Sequence, residues 1–295
     1  MVLYPKKTMR IVSLLPSATE IVCALGLEDS LVGISHECDF PPSVRAKPSL
    51  IHPRVDPTAP PGEIDRQVRE LIGRGESIYS VDAEMLVRLE PDLILTQDLC
   101  HVCAASPDDL AAALSRAPRQ PRVLSLTPRT LGDVWNDIRA VGEATGCRER
   151  AEELARQLEE RVARVQHFAA RQNGRPRVVC LEWLSPLYVG GHWVPQMVEL
   201  AGGVDVLGHP GEPSFVVSWE QVVAAQPEAV FVMPCGYGKE RASQEFAGLA
   251  LPADWARVPA ASHGRIFAMD ANSYFSRPGP RLADGVEMLA SMLRN

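Results

Sequence analysis

One stretch of the sequence occurs twice at a constant spacing, and this repeat restricts the fold more than any other feature. Residues 84–95 align without gaps on residues 220–231, at an offset of 136 residues. Each copy starts with a glutamate and contains a proline that is followed by an acidic residue and a closing apolar pair. This pattern predicts a helix, a tight turn at the proline and a buried strand. Self-similarity at this spacing indicates two related lobes.

Short apolar segments alternate with helical patterns along both halves of the chain. The predicted strands are residues 10–15, 31–34, 93–95, 123–126, 177–182, 229–233 and 265–269. Strands that alternate with helices are typical of parallel α/β sheets. We therefore predict an α/β fold with two Rossmann-like parallel-sheet lobes. The helix after the first strand is expected to begin with a capping box formed by Ser17 and Glu20.

A long helical pattern lies between the two predicted lobes. Leu154, Leu158, Val162 and Val165 recur at spacings of three or four residues, which predicts one amphipathic helix. A helix over residues 148–171 would be about 35 Å long and would join the lobes stiffly. The predicted domains are an N-terminal lobe (1–129), an interdomain helix region (130–175) and a C-terminal lobe (176–295). The alternative is that this helix lies on the surface of the first lobe.

Charge and hydropathy argue against two classes of partner. The net charge is −7 and no run of lysine or arginine stands out, so neither nucleic acid nor an anionic membrane is expected as the main partner. No stretch reaches about 18 consecutive apolar residues, so membrane insertion is not expected. We expect the protein to be a monomer.

The compartment is predicted from the first residues and from the cysteines. The first residues lack the apolar segment and the cleavage site of a secretory signal. Seven cysteines are an odd number in a chain too long to need disulfide bonds. Both features favour free thiols and a cytoplasmic location for the sequence as written. A truncated start would instead place the protein in the periplasm or outside the cell.

The segments that follow the predicted strands are rich in aromatic residues. Ligands of open parallel sheets bind beyond the carboxyl ends of the strands. If the two lobes face each other, these segments meet in one cleft, where aromatic faces would hold a large flat ligand. The alternative is that several of these side chains fill the lobe cores. The candidate ligand-binding residues are Ser17, His36, Trp183, Tyr188, His192, Trp193, Tyr237, Tyr274, Phe275 and Arg277.

Four cysteines also follow predicted strand ends and form a candidate metal site. Cys100 and Cys103 have the CxxC spacing that suits zinc, an iron–sulfur cluster or a redox pair. Cys38 and Cys235 would complete a four-thiolate set if the cleft closes. The alternative is that these thiols are unliganded. A weaker hypothesis is a cysteine hydrolase with Cys235 as its nucleophile and a histidine nearby.

Several short motifs together resemble one family of proteins. They are Ile11-Val-Ser-Leu-Leu-Pro-Ser-Ala-Thr-Glu20, Ala24-Leu-Gly26, Leu31-Val-Gly33, Pro91-Asp-Leu-Ile94 and Glu199-Leu-Ala-Gly-Gly203. Over residues 9–293 the chain resembles the helical-backbone (class III) substrate-binding proteins of ABC importers, and it is most similar to the cobalamin (vitamin B12)-binding branch. The resemblance implies two α/β lobes joined by a long helix, with a metal chelate held in the cleft between them.

The resemblance also implies a function. It implies a binding protein and not an enzyme, a corrinoid such as cobalamin as the ligand, and an ABC permease as a partner. Glu84 and Glu199 match the positions at which one glutamate of each lobe docks onto permease arginines; the alternative is that both are solvated helix carboxylates. The missing export signal and the cysteines depart from the family pattern. They leave open a cytoplasmic metalloprotein with a cleft thiolate site for zinc or an iron–sulfur cluster.

Overall fold

The computed structural model describes residues 8–97, 107–115, 119–172 and 174–294. The chain forms two compact units. The first consists of Met1–Ala59, Arg66–Thr127 and Asn136–Ala155, and the second of Pro60–Asp65, Pro128–Trp135 and Arg156–Asn295. Both units therefore contain part of the predicted interdomain region 130–175, and the domain boundaries proposed from the sequence stay a prediction.

A parallel sheet forms the centre of the first unit. Its strands are β1 (Ile11–Ser13), β2 (Leu31–Ile34), β3 (Ile51–Pro53), β4 (Tyr79–Val81), β5 (Leu93–Thr96) and β6 (Arg122–Ser125). The order is β2-β1-β5-β6, and all neighbours in this sheet are parallel, whereas β3 and β4 form a separate antiparallel pair. The central strand β1 is buried along its whole length. Its continuous apolar character follows from this position between two neighbours.

The first part of the chain also contains six helices among the described residues. They are α1 (Pro16–Ala24), α2 (Pro61–Gly73), α3 (Ala83–Leu89), α4 (Pro107–Leu114), α5 (Leu131–Thr145) and α6 (Arg148–Ala169). Helices α5 and α6 approach closely at Gly142, where an added Cβ would lie 2.2 Å from the Cβ of Ala151. Ala151 and Ala155 are fully buried at the start of α6. Small residues therefore set the distance between these two helices.

The second unit is built around another largely parallel sheet. Its strands are β7 (Arg177–Leu184), β8 (Leu187–Val189), β9 (Val204–Asp205), β10 (Ala229–Val232) and β11 (Ile266–Ala268). Its helices are α7 (Val194–Leu200), α8 (Trp219–Ala224), α9 (Lys239–Ala247), α10 (Pro259–Ser262), α11 (Ala271–Tyr274) and α12 (Leu282–Arg294). Strand β7 pairs in parallel with β9 and β10, β10 pairs in parallel with β11, and the short strand β8 folds back antiparallel on β7.

The two sheets share one connectivity. The order β9-β7-β10-β11 of the second unit matches the order β2-β1-β5-β6 of the first, and β8 is an addition. The repeated sequence motif occupies the same place in both sheets: α3 leads into β5, and α8 leads into β10. The two-lobe α/β fold predicted from the repeat is confirmed.

The repeat extends to the backbone geometry of the two helix–strand junctions. Asp82 and Ser218, the N-caps of α3 and α8, each accept a hydrogen bond from the backbone N–H three residues later. Glu90 and Gln226 are both left-handed, with φ of 40° and 45°, directly before the proline of each copy. All four positions are related by the same 136-residue offset. Each helix therefore starts and ends by the same local mechanism.

The capping box predicted for the first helix is wrong. Leu15 is the N-cap of α1 and makes no side-chain cap hydrogen bond, and a proline lies in the first turn. Ser17 is inside that turn and is buried. Proline suits this place because the first N–H groups of a helix have no acceptor within the helix. Pro16, and not the side chain of Ser17, therefore accounts for the start of the helix.

The predicted long helix is present as α6, with 22 residues. In the second unit its Arg161 forms ion pairs with Asp284 and Glu287 of α12, and its bonds to Glu287 are 2.7 and 3.0 Å long. The hydrogen bonds that Arg161 donates to these carboxylates raise its pKa further above the ordinary value. These contacts hold the second half of α6 against α12. No helix among the described residues is both long and apolar enough to cross a membrane.

The left-handed residue at the first junction gives a stability prediction. Glu90→Gly should raise the free energy of unfolding by about 0.5–1 kcal/mol, because a Cβ is strained at positive φ and glycine is not. The matched control is Arg88→Gly within α3, which should lower it by about 1 kcal/mol. Urea denaturation of both variants tests this, and equal destabilisation by the two changes would contradict the role given to φ.

Candidate functional site

The carboxyl ends of β7 and β10 bring two predicted aromatic residues into contact. The rings of Trp183 and Tyr237 meet edge to face, with centroids 5.5 Å apart. The guanidinium of Arg241 lies over the ring of Tyr237, 3.8 Å from the ring centroid. Trp183 is partly exposed, whereas Tyr237 is buried. Trp183 is therefore the member of this pair that offers a face to a ligand.

Tyr237 has an unusual hydroxyl group for a buried residue. This hydroxyl has no hydrogen-bond partner in the structure. Burial raises the pKa of Tyr237 to about 12, so the phenol is neutral over the physiological range. Its ring, which contacts Trp183 and Arg241, belongs to the core of the second unit. The structure therefore places Tyr237 behind Trp183 as its support.

Residues 209–217 form an exposed edge beside β8, and we call them the edge segment. Tyr188 of β8 forms a bridge with Val216, and the N–H of Val189 donates to the carbonyl of Phe215 at 3.1 Å. Phe215 is 37% exposed and Val216 is 51% exposed. The ring of His209 stacks on Phe215 at 6.0 Å. Together with Tyr188, the edge segment presents an apolar surface.

The sequence analysis missed Phe215 and Val216. They follow a proline- and glycine-rich stretch and lie three and two residues before Ser218, the N-cap of α8, so no strand or helix period marks them. The available signal was three consecutive apolar residues, Phe215-Val216-Val217, in a segment with turn residues before it. Such a run outside a regular element is consistent with a paired edge.

Two of the predicted ligand-binding aromatics lie in the core. Trp193 is 5% exposed and Phe275 is 1% exposed. The indole N–H of Trp193 donates to the carbonyl oxygen of Phe275 at 2.7 Å. For these two residues the structure agrees with the alternative of core filling. Arg277 is also buried, whereas Tyr274 is partly exposed below the guanidinium of Arg281, 5.7 Å from its ring centroid.

His192 lies in a strained part of the same unit. Its backbone is left-handed, with φ of 53°. Its N–H donates to the carbonyl of Glu212 at 2.6 Å, and its carbonyl accepts from Gly211 at 2.8 Å. Burial lowers the pKa of His192, and the charge of Arg129 lowers it further. The imidazole is therefore neutral at pH 7 and is partly buried beside Trp193.

In the first unit, His36 and an unpredicted phenylalanine follow β2. The ring of His36 lies 5.4 Å from that of Tyr79 on β4, and its Nε2 is 3.4 Å from the carboxylate of Glu37. Burial lowers the pKa of His36, although Glu37 opposes this effect. Phe40, further along the same segment, is 43% exposed. The first unit therefore also offers an aromatic surface beyond a strand end.

The predicted thiolate site divides into described and undescribed residues. Cys38 is buried, and its Sγ lies 3.0 Å from the hydroxyl of Thr19; Cys235 is exposed. Cys100 and Cys103 lie outside the described residues. Within the part of the chain that the structure describes, no three histidine, cysteine or acidic side chains are grouped to hold a metal ion.

The glutamates predicted to dock onto a permease are both exposed. Glu84 is the second residue of α3, and Glu199 lies near the end of α7. The internal repeat, however, pairs Glu84 with Glu220, which is the second residue of α8 and is fully exposed. Ser218 lowers the pKa of Glu220 by a hydrogen bond, so this carboxylate is charged at neutral pH. Glu220 is thus the structural counterpart of Glu84.

Two α/β units with one shared connectivity, joined through a long helix, define a class of substrate-binding proteins. The chain belongs to the family described as Periplasmic binding protein, whose model matches residues 11–273. The family assignment drawn from the sequence motifs is confirmed.

Two relatives agree with this assignment over almost the whole chain. The Vitamin B12-binding protein of Vibrio cholerae serotype O1 is 25% identical over 292 residues, which cover 98% of this chain and 91% of that protein. The ABC transporter substrate-binding lipoprotein YvrC of Bacillus subtilis, which is uncharacterized, is 26% identical over 300 residues, with 98% and 81% covered. The chain is therefore a substrate-binding protein of the ABC-importer type, and these relatives are binding proteins and not enzymes.

Solved structures show the same fold. The periplasmic heme-binding protein RhuT of Roseiflexus sp. RS-1 is 24% identical with a TM-score of 0.72, over 97% of this chain and 98% of that one. The periplasmic vitamin B12-binding protein BtuF of Vibrio cholerae is also 24% identical, with a TM-score of 0.70, over 97% and 96%. None of these comparisons supports a zinc or iron–sulfur protein, and the family description does not support the cytoplasmic location.

The different burial of two tryptophans gives a second prediction. Trp193→Phe should lower the free energy of unfolding by about 1–3 kcal/mol, because it leaves the buried carbonyl of Phe275 without its donor. Trp183→Phe is the matched control: its indole N–H donates to the carbonyl of Ser185 at an exposed position, so a loss of under about 1 kcal/mol is expected. Thermal and urea unfolding measure both; equal losses would refute the distinction between core and surface.

Proposed function

We propose that this substrate-binding protein carries a corrinoid, with cobalamin as the first candidate, and delivers it to an ABC permease. The observation that carries the proposal is the apolar surface beyond the strand ends of each unit. In the second unit it consists of Trp183, Tyr188, Phe215 and Val216, and in the first unit of Phe40. Trp183, Tyr188 and Val216 are neighbours across paired strands, and a contiguous exposed apolar patch, unlike a single exposed apolar side chain, indicates a binding surface.

The chemistry of this surface suits a large and largely apolar ring system. Aromatic faces bury much area and lose little side-chain entropy, because they have only two rotatable side-chain bonds. Apolar area removed from water contributes roughly 25 cal/mol per Å². Curated relatives named as vitamin B12-binding proteins, which match this chain over almost its whole length, favour a corrinoid among such ligands.

Haem is the ligand that any test must compare with cobalamin, because solved structures of the same fold include heme-binding proteins. Of the predicted site residues, His36 and His192 are neutral at pH 7, since burial lowers the pKa of both. Neutral imidazole is a ligand for iron and for cobalt alike. The residue types at the candidate site therefore do not distinguish a corrinoid from haem, and a binding measurement is needed to do so.

We also propose that the protein acts outside the cytoplasm. The family description is periplasmic, and one of the matched relatives is a lipoprotein. Both support a location outside the cytoplasm over the cytoplasmic location expected in the sequence analysis.

Replacement of Phe215, the exposed phenylalanine of the edge segment, tests whether this surface binds a corrinoid. Purified protein should retain cyanocobalamin through gel filtration, and Phe215→Ala should raise the Kd by about 5- to 30-fold through loss of an aromatic contact. Phe168→Ala on α6 removes an even more exposed phenylalanine and should leave the Kd unchanged. Retention of hemin but not of cyanocobalamin would overturn the corrinoid assignment.

The structural equivalence of Glu84 and Glu220 gives a prediction about which carboxylates contact the permease. We propose that these two carboxylates, and not Glu84 with Glu199, meet the permease, because each occupies the second position of the repeated helix. In liposomes with a reconstituted cobalamin permease, Glu84→Lys with Glu220→Lys should lower stimulated ATP hydrolysis at least about tenfold and spare ligand binding.

The control for the docking test is Glu84→Lys with Glu199→Lys. It carries the same total change in charge and should show only the smaller loss caused by Glu84→Lys alone. If instead this pair abolishes stimulation and the Glu220 pair does not, the original assignment of Glu199 is correct.

A further inference from the structure

Several exposed side chains near the carboxyl end of α6 have no role in ligand binding or docking as proposed above. Phe168 is 52% exposed, and the guanidinium of Arg294 on α12 lies over its ring, 4.6 Å from the centroid. The Nη2 of Arg171 lies 2.8 Å from the Nε2 of His167. We call this surface of the second unit the basic face, and it consists of Arg164, His167, Phe168, Arg171 and Arg294.

The basic face borders a groove of about 460 Å³. Of the described residues that line this groove, Glu160 alone is acidic, and it forms an ion pair with Arg156. Ala163 and Phe168 supply the apolar part of the lining. The groove therefore combines apolar walls with cations and has little free negative charge.

The arginines of the basic face are not neutralised within the described part of the chain. None of the three forms an ion pair with a carboxylate there. Asp284 and Glu287, the acidic side chains of the adjoining α12, are both bound by Arg161. The sequence has no aspartate or glutamate between Arg161 and Glu182, a stretch that contains four arginines. The positive charge of the basic face is therefore available to an external anion.

A structural role accounts for only part of this arrangement. Basic residues near the carboxyl end of a helix interact favourably with its dipole, but the effect is confined to the last turn. Helix α6 ends at Ala169, so Arg164 lies before that turn, and Arg294 belongs to another helix. A single exposed apolar side chain such as Phe168 would also be unremarkable by itself. The combination of this ring with three unpaired arginines at a groove is what indicates a partner.

We propose that the basic face is a peripheral contact site for a membrane of anionic phospholipids. The planar guanidinium of arginine binds phosphate oxygens through two parallel hydrogen bonds. An aromatic ring among cations suits the boundary between head groups and acyl chains. The net charge of −7 repels the chain as a whole from such a surface, so the contact is local, weak and sensitive to salt.

A membrane fits this surface better than a second copy of the chain does. In a two-fold dimer the same surface meets itself, which would bring the arginines of one basic face against those of the other. A protein that delivers its ligand to a permease works beside a lipid surface, and a weak contact there raises its concentration near the permease. The choice of a membrane thus rests on the proposed delivery, whereas the tests below need neither permease nor ligand.

The first test measures the partition of the purified protein onto vesicles at about 0.1 M salt, where the Debye length is about 10 Å. The wild type should bind phosphatidylcholine vesicles that contain about one third phosphatidylglycerol at least about tenfold more strongly than pure phosphatidylcholine vesicles. Arg164→Glu with Arg171→Glu should lower partition onto the anionic vesicles at least about tenfold. If this pair does not fold, Arg164→Gln with Arg171→Gln should lower it about fivefold.

The matched control for this pair is Arg45→Glu with Arg257→Glu. It makes the same total change in charge at two exposed arginines outside the basic face. Because charges further away than the Debye length are screened, it should lower partition less than about threefold. Far-UV circular dichroism checks that each variant is folded.

The second test asks whether the side chain at position 168 itself meets lipid. Phe168→Trp adds one indole to the five tryptophans of the chain. Its additional emission should shift to shorter wavelength with anionic vesicles and be quenched by lipids brominated on their acyl chains. The wild type, with the five native tryptophans alone, should show neither change. Phe168→Ala should lower partition about three- to tenfold through loss of the apolar contact.

Four outcomes would overturn the inference. They are equal partition onto neutral and anionic vesicles, equal losses in the arginine pair and its control, suppression of binding by inorganic phosphate at constant ionic strength, and a wild-type dimer that dissociates in Arg164→Glu with Arg171→Glu. The last two would assign the basic face to a soluble phosphate and to a second copy of the chain. Retention of cyanocobalamin does not involve this face, so the corrinoid proposal stands or fails separately.

Discussion

The pairing of each central strand with a parallel neighbour on both sides is the constraint on which the rest of the structure depends. Strand β1 lies between β2 and β5, and strand β7 lies between β9 and β10. A strand in this position satisfies its backbone hydrogen bonds within the sheet and buries both of its faces, which requires a continuous apolar run. Polar and reactive side chains therefore collect mainly at and beyond the carboxyl ends of the strands. The same constraint acting twice is consistent with exposed aromatic residues at these ends in both units.

The sequence predicts most of this architecture because the features that recur in the repeat act over short stretches of the chain. The proline of each copy, the N-cap residue nine positions before it and the buried strand after it all act over a few residues, so a single alignment reveals them in both units. The left-handed conformations of Glu90 and Gln226 were not predicted, because neither residue type marks positive φ. Ser17 shows the opposite error: a Ser-x-x-Glu pattern was present, but Pro16 places the start of the helix earlier. Local signals compete, and the sequence does not show which one prevails.

The candidate site was less predictable because exposure depends on tertiary packing. Trp183 lies at the carboxyl end of β7 and Trp193 follows ten residues later; no spacing rule separates them, yet one is partly exposed and the other donates a buried hydrogen bond to Phe275. Phe215 is exposed although the edge segment pairs with β8. Glu220 is equally visible in the repeat, whereas the motif at residues 199–203 favours Glu199. Residue type thus did not separate the exposed side chains from the buried ones.

Two acidic side chains, those of Glu182 and Asp205, lie in buried surroundings near β7, and their environments differ. Burial raises the pKa of Glu182 to about 8 and that of Asp205 to about 6. The N–H groups of Leu207 and Gly208 donate to Asp205 at 3.1 and 2.7 Å, which favours its charged form. Asp205 raises the pKa of Glu182 further, whereas Glu199 is the carboxylate that raises the pKa of Asp205. Asp205 therefore serves as a charged acceptor for a backbone turn, and Glu182 is mainly protonated at neutral pH. Two residues of one chemical type take different roles because their environments separate their protonation.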